Sequence, residues 1–125
     1  MQHSINWFEI PVADLTRAMK FYEAMTGQKL KREAFGALGE EMAIFEVDSQ
    51  EGITGCLLFG QDTKPAQLGT TVYLNAAPSI DAWIERAQKA GAKILTPKTA
   101  LPPGMGYFAH VLDSEGNRVG LHALN

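Results

Sequence analysis

The chain has 125 residues, 46% of them hydrophobic and 20% charged, which suits one compact domain with a core of its own and argues against disorder. Its net charge is −3, and its densest basic cluster, Lys29, Lys31 and Arg32, reads as a solvated strand edge, so nucleic acid is not an expected partner. No apolar stretch approaches a membrane span and residues 1–5 lack signal-peptide character, so no membrane partner is expected and the location expected is cytoplasmic.

Residues 4–12 alternate as a strand, with Phe8, Ile10 and Val12 on a uniformly apolar face and Ile5, Trp7 and Glu9 on a mixed one. Asp14 offers an N-cap to a helix whose apolar stripe is Leu15, Ala18, Met19, Tyr22 and Met25, and Gly27 supplies its left-handed stop. Strands are predicted over 30–35 and 41–48, joined by a turn at 36–39, and again over 53–59. The lone cysteine, Cys56, falls in that last apolar run and reads as a buried thiol packing like a small hydrophobe. Residues 60–68 suit a linker.

The second half repeats the plan. Trp7 falls on Thr71, Ala18 on Ala82 and Gly27 on Gly91, an offset of 64 residues. Residues 70–75 give a strand with Val72 and Leu74 toward its helix. Ser79 caps that helix, whose stripe is Ile80, Trp83, Ile84, Ala87 and Ala90, with Glu85 placed to pair with Lys89 and Gly91 as the stop. A strand over 92–96, a Pro- and Gly-rich loop over 101–106, and a hairpin of strands 107–113 and 117–123 turning through 114–116 complete it. The expected class is α+β: two tandem βαβββ modules, residues 1–60 and 68–125, in one domain spanning 1–125. Two copies of one unit must pack on each other, and the seam between them is where a site is expected.

The phrases PVADLTRAMKFYEAMTG and DSEGNRVGLHA, with this element order over essentially the whole chain, resemble the vicinal oxygen chelate superfamily. That group holds glyoxalase I, extradiol dioxygenases, fosfomycin-resistance enzymes and bleomycin-resistance proteins. The resemblance implies a cupped, partly open eight-stranded sheet with helices outside, a site inside the cup, and a homodimer. It also implies a metal held at one position on the first and last strand of each module. Here those positions fall at Trp7, near Gly55, at Thr71 and at Gly120. An indole nitrogen only donates, glycine has no side chain and a lone threonine hydroxyl is a poor anchor, so neither metal nor other cofactor is expected.

Strand parity then names what faces the cup. Glu9 goes with Trp7, Arg118 and His122 go with Gly120, and Tyr73 and Asn75 go with Thr71, while Leu57 and Phe59 join from the first module. Trp7 either stacks on a planar or cationic ligand or fills core volume. Gly55 and Gly120 either let a ligand approach the backbone or mark strand kinks. Glu9 and His122 are the carboxylate–imidazole combination expected to share the cup, either as base and acid or as a structural hydrogen-bonded pair. Met105 and Tyr107 either form a lid or belong to an ordinary connection. His110 and His3 are read as structural or exposed. Three functions remain open. One is a small-molecule binder for an aromatic or cationic compound. Another is a lyase or isomerase using Glu9 and His122, with or without an unusually held metal. The last is a regulatory or scaffolding domain with a filled cup.

Overall fold

A computed structural model describes residues 3–35, 39–61 and 63–125, and among them the expected order of elements occurs twice. The first module runs β1 (Trp7–Pro11), α1 (Leu15–Thr26), β2 (Leu30–Phe35), β3 (Glu40–Phe45) and β4 (Thr54–Phe59). The second runs β5 (Tyr73–Asn75), α2 (Ile80–Lys89), β6 (Lys93–Ala100), β7 (Tyr107–Leu112) and β8 (Arg118–Ala123). The strands form two four-stranded mixed sheets, β1-β4-β3-β2 and β5-β8-β7-β6, and in each the first strand runs parallel to the last. Apart from Gly39, the turn expected over 36–39 lies outside the described residues.

Local chemistry sets the helices. The Asp14 side chain accepts from the Arg17 backbone N–H at 3.0 Å, and Gly27 closes α1 at φ 75°, a conformation that favours glycine. The buried stripe is Leu15, Ala18, Phe21, Tyr22 and Met25, with Phe21 in place of the expected Met19, which packs at the core's margin. Ser79 caps α2 by accepting from Ala82, and Lys89 pairs with Glu85 at 3.2 Å. That exposed pair is worth only a few tenths of a kcal/mol, about 0.3–0.5. Strand β6 runs past the expected 92–96 to Ala100, but its pairing with β7 slips on both sides of Thr96. Pro97 sits in the slipped stretch, where a residue without an N–H is tolerated.

Helix α1 packs on β3 and β4, α2 packs on β6, β7 and β8, and the helices also pack on each other. One core results, in which Ile10, Tyr22 and Leu57 of the first module join Trp83, Val119 and Leu121 of the second. The sheet faces turned away from the helices stay open.

A polar clamp locks the modules together. Glu115, in the turn between β7 and β8, has a fully buried side chain. Its carboxylate accepts from the backbone N–H groups of Ala13 and Asp14 at 2.9 and 2.8 Å. The Arg17 guanidinium adds two bonds at 2.7 and 2.9 Å, and the Ser114 hydroxyl another. Burial disfavours the charge, but these donors outweigh it and hold the Glu115 carboxyl down to about 2. Beside it, Asp113 accepts from the Tyr22 hydroxyl at 2.6 Å, and the Asn117 amide donates to the Pro11 carbonyl at 2.7 Å.

Glu115→Gln replaces an anionic acceptor by an amide that must turn an NH2 or a weaker oxygen toward several donors. Urea unfolding at pH 7 should show a loss of about 1–3 kcal/mol with an unchanged slope. The folded value lies below the ordinary 4.5, so the stabilisation is complete above 4.5 and disappears as pH falls toward about 2. Unfolding midpoints followed through that window should drop more steeply for the parent than for the variant.

Candidate functional site

Register decides what each open face carries, because cross-strand partners share a face. On β1, Phe8 and Ile10 turn to the core, and Trp7 and Glu9 to the open side, where the indole N–H donates to the Glu9 carboxylate at 3.3 Å. Glu9 pairs with Cys56 and Trp7 with Thr54, so Cys56, Thr54 and Leu58 share the open face. Leu57, expected there, pairs with Ile10 and is fully buried in the core. Phe59 has the parity of Leu57 and is exposed at the strand's end. Gly55 pairs with Phe8, and a Cβ on it would strike the Phe8 ring, so it too belongs to the core side. Cys56 is the buried thiol that the sequence suggests; burial first and the Glu9 charge second push it up to about 12, which leaves it protonated.

The second sheet places Tyr73 with Gly120 and Asn75 with His122 on its open face, as parity predicts. The side chain of Asn75 is spent locally, accepting from the Ala77 N–H at 3.0 Å. His110, read from sequence as structural or exposed, pairs directly with Gly120 and so stands on this same face. Its Nε2 lies 2.6 Å from the Tyr73 hydroxyl and its Nδ1 2.9 Å from Oγ1 of Thr96. Phe108 completes an aromatic group, its ring 5.4 Å from that of His110 and 6.5 Å from that of Tyr73. Burial, and then the Arg118 charge, hold His110 below its ordinary 6.5, so the imidazole is neutral at pH 7. A neutral ring donates from one nitrogen and accepts at the other, so the Tyr73–His110–Thr96 chain has a coupled proton order. Gly120 makes this possible, because any Cβ there would collide with the Tyr73 ring.

Two other expected site residues have defined tasks. His122 donates from Nε2 to the Met105 carbonyl at 2.8 Å and so fastens the loop before β7. Met105 is exposed beside it, whereas Tyr107 pairs with Ala123 on the core side and carries Lys98 over its ring at 4.4 Å. Tyr107 therefore does not reach the open face. Nor do Glu9 and His122 meet: one is engaged by Trp7, the other by Met105, and no hydrogen bond or ion pair joins them among the described residues.

At the seam lies a cleft of about 240 Å³, with Glu9 and Ile10 of β1 on one wall, Arg118 and Val119 of β8 opposite, and Lys64 and Val72 from the connecting segment. A larger hollow of about 610 Å³ runs outside α1, between Lys20, Glu23 and Arg32. Thr71 is half-buried just before β5.

The residues at the inferred metal positions do not fit a metal. The Trp7 nitrogen is a donor, Gly120 lies beneath Tyr73, and Gly55 faces the core. Sheet register shows that Cys56, not Gly55, is the first-module counterpart of Gly120, since each lies opposite the third residue of the equivalent strand stretch, Glu9 and Tyr73. A thiol held protonated is a poor substitute ligand. Among the described residues no group of three or more His, Cys, Asp or Glu stands close enough to hold an ion. No helix described here is long and apolar enough to cross a membrane.

Comparison with known proteins agrees with this architecture. The family model of the Glyoxalase/Bleomycin resistance protein/Dioxygenase superfamily matches residues 4–121. A glyoxylase-like domain-containing protein from Didymella fabae is 30% identical over 118 residues, covering 90% of this chain and 88% of its own. Among solved structures, a glyoxalase I variant from Zea mays superposes with a TM-score of 0.73 at 22% identity. The match covers 95% of this chain but 46% of the maize one, so this chain spans about half of that enzyme. A fosfomycin resistance protein from Listeria monocytogenes gives 0.68 at 17% identity, with 98% and 94% covered. An antibiotic binding protein from a Streptomyces species gives 0.65 at 22%, with 98% of each chain covered.

The Arg118 charge beside His110 has a measurable signature. In a histidine Hε1 titration by NMR, His110 should show a midpoint below 6.5. Arg118→Gln should move it upward, because one of the two influences that disfavour the imidazolium is gone. A midpoint indifferent to the substitution would place Arg118 away from the ring.

Proposed function

The chain belongs to the glyoxalase/bleomycin resistance protein/dioxygenase superfamily, and from that premise we propose that it binds a small planar aromatic molecule between its modules. The observation that carries this reading is the aromatic group on the second sheet. Tyr73 is 49% exposed, with Phe108 and His110 against it, and Trp7 is 41% exposed on the first sheet. Large aromatic rings left half in water lose free energy that a stacked ligand recovers. The donor set unsuited to a metal supports recognition by rings and hydrogen bonds instead of chelation. The likeness to a Streptomyces antibiotic binding protein, which concerns fold alone, is compatible with it. Action in the cytoplasm belongs to the same reading, where a single protonated thiol needs no partner. So does a homodimer, the commonest assembly of soluble chains.

Acid–base catalysis is the second reading, favoured by the Tyr73–His110–Thr96 chain and not by Glu9 with His122. A phenol hydrogen-bonded to a neutral imidazole is a pair that can pass a proton and take it back, as an isomerisation requires.

The test uses the two tryptophans. Trp7 is exposed, while Trp83 is buried in α2, so their indole N–H resonances report different regions. Planar aromatic compounds added singly should shift the Trp7 signal and those of Tyr73 and Phe108, leaving Trp83 in place. Tyr73→Ala should weaken binding by about 1 kcal/mol, roughly fivefold. Shifts confined to the hollow outside α1, or affinity untouched by Tyr73→Ala, would refute the placement.

A further inference from the structure

Resting on the aromatic-ligand reading, we infer that the ligand is an aromatic carboxylate, its ring on the Tyr73–Phe108 face and its carboxylate gripped by Arg118 with Lys64 beside it.

The cations of this protein are mostly spoken for. Arg17 is bound by Glu115, Arg32 by Glu41, Lys98 by Asp81 and Lys89 by Glu85. Among the described residues four cations, Lys20, Lys64, Lys93 and Arg118, have neither an ion pair nor a side-chain hydrogen bond, and of these Arg118 and Lys64 line the seam cleft. The carboxylate sharing that cleft, Glu9, is already engaged by the Trp7 indole N–H. Two unpaired cations against one engaged anion leave the cleft with an excess of positive charge.

Arg118 is also the residue that links the cleft to the rings. It lies two positions before Gly120 on β8, hence on the same open face, and Gly120 lies beneath the Tyr73 ring. Its charge is felt at His110, the imidazole bonded to Tyr73. A guanidinium presents two parallel N–H groups that match a carboxylate, and with no internal partner this fork is available to a ligand. An ammonium ligand would meet Glu9 alone and two repelling cations.

Three single-ring probes of similar size and different charge test this at pH 7 and low salt: benzoate, benzyl alcohol and benzylamine, with affinities read from NMR shifts of Tyr73 and Phe108. Benzoate should bind about tenfold tighter than benzyl alcohol, with benzylamine weakest. Arg118→Gln should remove that tenfold advantage while leaving benzyl alcohol unaffected, and its exposed position means that the fold should be unchanged. Lys89→Gln, on the far surface of α2, should leave every affinity as it was. If benzyl alcohol or benzylamine binds this face as tightly as benzoate, the carboxylate assignment is wrong and the aromatic reading survives. If benzoate keeps its advantage in Arg118→Gln, Arg118 is not the anchor. If none of the three perturbs the face, both readings fall together.

Discussion

Glu115 accepts hydrogen bonds from the backbone of Ala13 and Asp14 and from the Arg17 guanidinium, so the turn between β7 and β8 grips the point where β1 gives way to α1. Burying a carboxylate is costly unless its lone pairs are all used, and here backbone, guanidinium and hydroxyl donors use them. Because Asp14 is at once the cap of α1 and a donor to Glu115, helix start and module contact are fixed by the same residue. Asn117 extends the grip, donating to Pro11 on β1 and accepting from Ala66 in the connection. These contacts set how β1 stands relative to β8, and therefore which side chains meet across the seam.

The two modules follow one plan but have parted chemically. On the first sheet Glu9 pairs with Cys56, and the neighbouring open-face residues Ile44, Met42 and Leu58 are apolar. On the second sheet Tyr73 pairs with Gly120, whose missing side chain lets the ring lie down and reach His110. The same backbone position thus carries a sulfur in one module and empty space filled by a phenol in the other. One face is aliphatic with an acid at its edge, and the other is aromatic with a cation at its edge.

Much of this was legible in the sequence, and the failures have physical causes. The repeat offset, the caps Asp14 and Ser79 and the left-handed glycines are local signals, and they found the helices. Parity along single strands placed Trp7, Glu9, Tyr73 and His122 on the open sides. Leu57 was misassigned because the β1–β4 pairing is parallel and long-range, and no turn connects the two strands to fix their register. His110 is a different failure. The tight turn at 114–116 sets Gly120 opposite position 110, so the signal for His110 lies in the hairpin register and not in the parity of its own strand. Thr96 could not be found that way, since β6 slips on both sides of it. Glu115 reads as a turn residue, because nothing local tells that its partners lie about a hundred positions earlier.

The placement of Arg118 ties charge at the cleft to protonation on the aromatic face. With no anion beside it, the guanidinium adds to burial in keeping His110 neutral, and the neutral ring donates from one nitrogen and accepts at the other in the chain from Tyr73 to Thr96. An anion settling on Arg118 removes that repulsion and makes the imidazole more basic. By reciprocity, a proton on His110 then strengthens the hold on the anion, since binding free energies couple equally in both directions. Lowering the pH through the depressed midpoint of His110 would therefore favour the proposed acid ligand through that one added charge, since Arg118 is charged throughout. The limit is the ligand's own carboxyl, which must remain ionised; for an aromatic acid with a carboxyl near the ordinary value of about 4, that leaves a window in which both conditions hold.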